Sequence, residues 1–145
     1  DAVTDRGTYS GISSSSVGIY LPNVPCVVFG GGGSGTSLYR LNADGSVQAI
    51  SQTYPASLNV AANFYSTVAH PDGVTGLITY CNDLDEIWQM AVSGTTGTWS
   101  KLMDPPAAFS GRMTASAAGT LHGLGAVALW DGRSAANSKF FVHKV

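Results

Sequence analysis

The sequence predicts an all-β chain built from a repeat. Short apolar runs bounded by Gly, Pro, Asn and Asp recur along its whole length, and three of them fall about 50 residues apart. Helix signals are poor: 18 of the 145 residues are glycine, and apolar residues do not recur at i, i+3, i+4 and i+7. The two stretches nearest to helical, 56–65 and 113–118, are read as strand or loop. Neither has an apolar stripe, and the second has no charge to solvate an outer face.

The buried strand of each unit is its clearest element. Residues 25–30 (PCVVFG), 76–81 (GLITYC) and 125–130 (GAVALW) are near-continuous apolar runs, as in strands covered on both faces. Phe29, Tyr80 and Trp130 anchor them. Polar turns follow at 30–36, 82–85 and 131–138, then second strands at 37–41 (SLYRL), 86–90 (EIWQM) and 139–143 (KFFVH). Tyr39, Trp88 and Phe141 recur in these at similar spacing. The first two units add a further strand, 46–50 after Asn42-Ala43-Asp44-Gly45 and 98–102 after a turn at 93–97, with Asp-Gly and Thr-Gly as turn formers. Polar-alternating segments at 9–16, 64–69 and 112–117 supply the first strand of each unit. The expected architecture is a single domain of three four-stranded antiparallel repeats, at 9–52, 63–104 and 109–145, the last short of its final strand.

Four-stranded repeats of this length are those of propeller blades. The pattern resembles kelch or galactose-oxidase-type blades. The residues that carry the resemblance are Val27-Val28-Phe29-Gly30-Gly31 with Leu38-Tyr39-Arg40-Leu41 in the first unit. In the second they are Ile87-Trp88-Gln89-Met90 with Gly97-Thr98-Trp99-Ser100-Lys101-Leu102, then Asp104-Pro105-Pro106 and Arg112. The double glycine occurs only in the first unit, and the tryptophan of the last strand is Val47 there and missing in the third. The resemblance implies the blade and not a copper site, because the Tyr/His set of that chemistry has no counterpart here. Three blades do not close a ring, so a β-trefoil, with three repeats and a similar total length, and a β-sandwich or jelly roll remain alternatives.

Composition narrows the function. Only 11% of residues are charged, against about 25% in typical proteins, and the net charge is −2. Arg6, Arg40, Lys101, Arg112, Arg133, Lys139 and Lys144 are scattered, which argues against nucleic-acid binding. No apolar run approaches the roughly 18 residues of a membrane helix, so no membrane insertion is expected. The chain opens at Asp1 without Met, as expected of a processed mature protein or a fragment. A surface of Ser, Thr and Gly with little Glu or Lys fits an extracellular or virion-surface location. Cys26 and Cys81 are read first as separate buried thiols; paired, they would close a loop worth about 4 kcal/mol.

Chemistry-bearing constellations are few. His70, His122 and His143 share no short spacing and read as ordinary turn or surface histidines, His143 facing solvent. Asp83, Asp85 and Glu86 could suit a hard cation, but read better as a solvated acidic turn. Asp131 is the one partner for a glycosidase-like pair. The segment Gly30-Gly31-Gly32-Gly33-Ser34-Gly35 lacks the lysine and the helix of a phosphate loop. Residues 93–99 (SGTTGTW) faintly resemble the Asp-box turn of sialidase propellers, with Thr95 in place of the Asp. No cofactor, metal or catalytic set is expected.

Aromatics are the most informative signal. Trp88 and Trp99 are expected in the core, whereas Trp130 ends a buried strand just before the polar turn Asp131-Gly132-Arg133. In a meander, the turn between strands two and three lies at the same end as the links between units. The expected ligand surface therefore comprises Tyr80, Asn82, Asp83, Trp130, Asp131, Arg133 and Arg112. The function expected is non-enzymatic: a lectin-like module recognising a glycan or a cell-surface receptor, acting as a homo-oligomer or within a larger assembly. The alternatives are a structural capsid, fibre or tail component of a virion and a fragment of a propeller enzyme.

Overall fold

The computed structural model describes residues 5, 7–12, 16–31, 37–53, 67–81, 86–103, 116–131 and 139–145. Among them the chain is all-β. A first meander runs β1 (Val17–Leu21), β2 (Cys26–Gly30), β3 (Leu38–Asn42) and β4 (Val47–Thr53). A second runs β5 (Thr67–Ala69), β6 (Gly76–Cys81), β7 (Glu86–Ser93) and β8 (Thr96–Met103). The third has β9 (Ser116–Leu121), β10 (Ala126–Asp131) and β11 (Lys139–Lys144), with a 3₁₀ turn at His122–Leu124 and no fourth strand among the described residues. All pairing within the meanders is antiparallel.

The apolar runs of the sequence become β2, β6 and β10, the interior strand of each meander. The first strand of the first meander lies closer to its run than the sequence predicts: β1 starts at Val17, not at Tyr9, whereas of the segment predicted at 112–117 residues 116 and 117 belong to β9 and the rest lies outside the described residues. The fully described turns after β1, β3 and β7 are short and fix the register of their hairpins. Pro22 and Pro25 bracket the first of them, and Val24 N–H closes it onto the Leu21 carbonyl at 3.3 Å. Of the two stretches nearest to helical, 56–65 lies outside the described residues, and 116–118 belongs to β9.

The three meanders stack face to face. β6 shows why, because its neighbouring side chains point to opposite faces. Leu77 joins a cluster with Leu21, Val28, Leu38, Ile50 and Met90, between the first and second meanders. Ile78 joins Val68, Ile87, Val127 and Leu129, between the second and third. Trp88 and Trp99 fall in the first cluster, as expected for core rings. Thr67 and Thr79, also buried, satisfy each other through a 2.7 Å hydroxyl–hydroxyl bond. Cys26 is a buried free thiol, pushed up by desolvation, with a smaller opposing effect of Arg40.

The stack keeps one sense, and equivalent turns line up along it. In the turn after β1, Asn23 donates from its backbone N–H to the Gly73 carbonyl (3.0 Å) and from Nδ2 to the Asp72 carbonyl (2.6 Å). From the third meander, Thr120 Oγ1 donates to the Ala69 carbonyl (2.7 Å) and His122 Nδ1 to the Pro71 carbonyl (3.0 Å). At the other edge, β4 and β8 pair in parallel, Ser51 with Thr96 and Gln52 with Gly97. Equivalent strands of units stacked in one sense run the same way, so their meeting edges pair in parallel. The first two meanders thus make one eight-stranded, barrel-like sheet of order β1-β2-β3-β4-β8-β7-β6-β5.

Two substitutions test this packing. Leu77 is wholly buried, and Leu77→Ala is expected to cost about 3 kcal/mol in denaturant unfolding. Gly76 has φ 143°, and a Cβ there would run into the Met90 carbonyl. Gly76→Ala is therefore expected to lower the denaturation midpoint at least as much, although it adds only a methyl group.

Candidate functional site

Of the seven residues predicted to form a ligand surface, the structure describes three. Tyr80 pairs with Ile87 near the end of β6, and Asp131 pairs with Ser116 and Lys139 at the end of β10. Trp130 is 51% exposed, beside Phe140 on the neighbouring strand. Asn82, Asp83, Arg112 and Arg133 lie outside the described residues. Trp130 is accordingly a surface residue, unlike Trp88 and Trp99.

A groove that sequence reasoning missed lies on the β4–β8 seam. It encloses about 290 Å³ and is lined by Ser51, Gln52, Thr96, Gly97, Thr98 and Trp99. Backbone pairing holds it open: Ser51 N–H donates to the Thr95 carbonyl at 2.7 Å. The Trp99 ring is fixed by Nε1 donating to Gln52 Oε1 at 3.1 Å. At Gly97 a Cβ would press on Met90 Sδ (2.8 Å) and Ile50 Cγ2 (3.1 Å), so the missing side chain lets β8 close over the core here. None of the six lining residues carries a charge. Hydroxyls and one amide, over a floor to which the largely buried Trp99 contributes, are the available chemistry, which suits an uncharged, hydroxyl-rich ligand.

Two charges near the second meander's edge, Glu86 and Lys101, are tied into the frame. Glu86, read from sequence as part of an acidic turn, accepts from Trp88 Nε1 (2.9 Å) and from Lys101 Nζ (2.6 Å). Asp83 and Asp85 lie outside the described residues. Among the described residues no group of three or more His, Cys, Asp or Glu side chains could hold a metal ion, and no helix is long and apolar enough to cross a membrane. His143 does not face solvent as expected. It shares the inner face of β11 with Phe141, is half-buried, and desolvation lowers its pKa.

The Asp72 turn is the most strongly perturbed site in the row of aligned turns. Partial burial opposes its charge. That is outweighed by hydrogen bonds from the Thr75 hydroxyl and backbone, from Val74 N–H at 2.8 Å and from His70, which hold the carboxyl well below the usual range. Gly30 and Gly31 both take positive φ, and Gly31 N–H donates to the Ser37 carbonyl at 2.8 Å, so the glycine-rich segment leads into β3 and not into a helix. No family model matches the chain, and no curated protein or solved structure is detectably similar to it.

A pH experiment follows from Asp72. Its folded carboxyl is depressed, so its stabilisation is complete above the unfolded pKa of about 4 and is lost as pH falls toward the folded value. Urea midpoints should fall less steeply for Asp72→Asn than for the unaltered chain between about pH 4 and pH 2.

Proposed function

We propose that the chain is a non-enzymatic binding module that recognises a glycan through the groove on the β4–β8 seam. The observation that carries this is the lining: Ser51, Gln52, Thr96 and Thr98 bring hydroxyls and an amide around Trp99, with no charge among them. A neutral sugar exchanges its water hydrogen bonds for such groups without stranding a desolvated charge. The low charge of the whole chain and its Ser/Thr/Gly-rich surface support an extracellular or virion-surface setting. The kelch-like reading of the repeats accords with the stacked meanders and is kept as part of this proposal. So is a contribution to the ligand surface from the loops carrying Asn82, Asp83, Asp131 and Arg133.

A second reading is an assembly protein of a virion without a small ligand. The exposed apolar face around Trp130, Phe140 and Val142 favours it.

A glycan array followed by calorimetric titration of the best hit separates the two. Thr98 is exposed, so Thr98→Arg should leave the fold intact while weakening binding at least about tenfold, or 1.4 kcal/mol. Asp131→Ala with Arg133→Ala should weaken it if the loops take part. Binding lost only in the latter variant would move the site to the loops. No glycan bound at millimolar concentration would leave the assembly reading.

A further inference from the structure

Among the described residues, the two ends of the stack carry several of the large exposed apolar side chains. On the third meander, Trp130 pairs with Phe140, Ala128 with Val142 and Ala126 with Lys144, so Trp130, Phe140 and Val142 share the face turned away from the core. They are 51%, 66% and 56% exposed. Three large apolar side chains in one patch are unusual for a surface that faces water. On the first meander, the face turned away from the core carries Tyr20, Val27, Phe29, Tyr39, Leu41 and Val47, which are neighbours by register and include no charge. Among the described residues Tyr9 packs on Phe29 and Tyr39, with ring centroids 5.3 and 5.1 Å away, and covers one end of that face. Beyond Tyr9's reach, Tyr20 (56% exposed), Pro25, Val27 and Leu41 line an open hollow of about 160 Å³.

We infer that a second copy of this chain covers these faces head to tail, the third meander of one copy against the first meander of its partner. Continuity with the packing inside the chain carries the inference. The first meander already packs on the second, and the second on the third, in one sense and with their turns in a row. The faces left over are the third meander's outer face and the first's, the two sides of the next step in the same series. Shape and charge agree with it. One face projects Trp130, Phe140 and Val142, and the other offers the hollow. Lys144 sits opposite the first residue of β10, and the turn carrying Asp44 follows Asn42, which sits opposite the first residue of β2. One further step of the stack brings the partner's Asp44 level with Lys144. Two copies joined this way make both contacts at once and bury both ends, as a closed head-to-tail ring requires.

Sedimentation of the chain at about ten micromolar, with glycan absent, tests this separately from the groove. The expected mass is twice the 14.9 kDa of one chain. Phe140→Asp and Tyr20→Asp each remove one of the two complementary faces. Each variant alone is expected to run as a monomer with an unchanged far-UV circular dichroism spectrum, both residues being exposed. An equimolar mixture is expected to regain a dimer, because each retains the face that the other lacks. A monomeric unaltered chain, a Tyr20→Asp variant that still dimerises, or a mixture that stays monomeric would each overturn the proposal; the second would mean that like faces meet.

Discussion

Burial of β6 on both faces is the constraint on which the rest of the structure depends. Leu77 and Ile78 are consecutive and both wholly excluded from water. Consecutive residues of a strand point to opposite sides. One neighbouring sheet therefore cannot cover both, and the second meander folds only as the middle of three layers. The first meander covers Leu77 with Val28, Leu38 and Ile50, and the third covers Ile78 with Val127 and Leu129. Once each layer is placed in the same sense, the row of hydrogen-bonded turns and the parallel meeting of β4 with β8 follow from geometry.

The scarcity of charge shapes how this frame is held. With 11% charged residues, few long-range attractions exist, and the charged groups act locally. Asp44 receives the Ser46 N–H and hydroxyl at 2.8 and 2.6 Å and closes the β3–β4 turn. Arg40 reaches from β3 to Asn42 Oδ1 at 2.6 Å and to the Gly94 carbonyl at 3.1 Å, tying the first meander to the β7–β8 turn. Such exposed contacts add little energy each. Their effect is to set register and turn geometry, while apolar burial supplies the driving force.

The interior strands were the most legible part of the sequence, because a run such as GLITYC has no polar face to leave in water and so announces a strand covered on both sides. The turn at Asn42-Ala43-Asp44-Gly45 was legible for a similarly local reason, since side chain and glycine act within their own four residues. The first strand of the first meander was displaced, from 9–16 to Val17–Leu21, because polar alternation continues past a strand's end, and only the hairpin turn says where pairing stops. The run 125–130 illustrates a different limit: it reads as covered on both faces, yet its last residue, Trp130, which the sequence sets apart from Trp88 and Trp99, faces outward. Tyr39 does likewise, facing outward while Trp88 and Phe141 face the core, although all three recur at similar spacing. The groove left no trace, because its walls meet through backbone bonds between two Ser/Thr-rich edges, and backbone bonds have no residue signature. The loops bearing Asn82, Asp83, Arg112 and Arg133 are polar by sequence, and polarity carries no direction.

The parallel seam also orders the events of folding. Each meander is made of contacts between near neighbours in the chain, which close cheaply and early. Ser51 and Thr96 are brought together only after both meanders exist and have found each other. The groove is thus a property of the joined pair, and a single repeat cut from the chain would contain every residue of one wall yet no cavity at all.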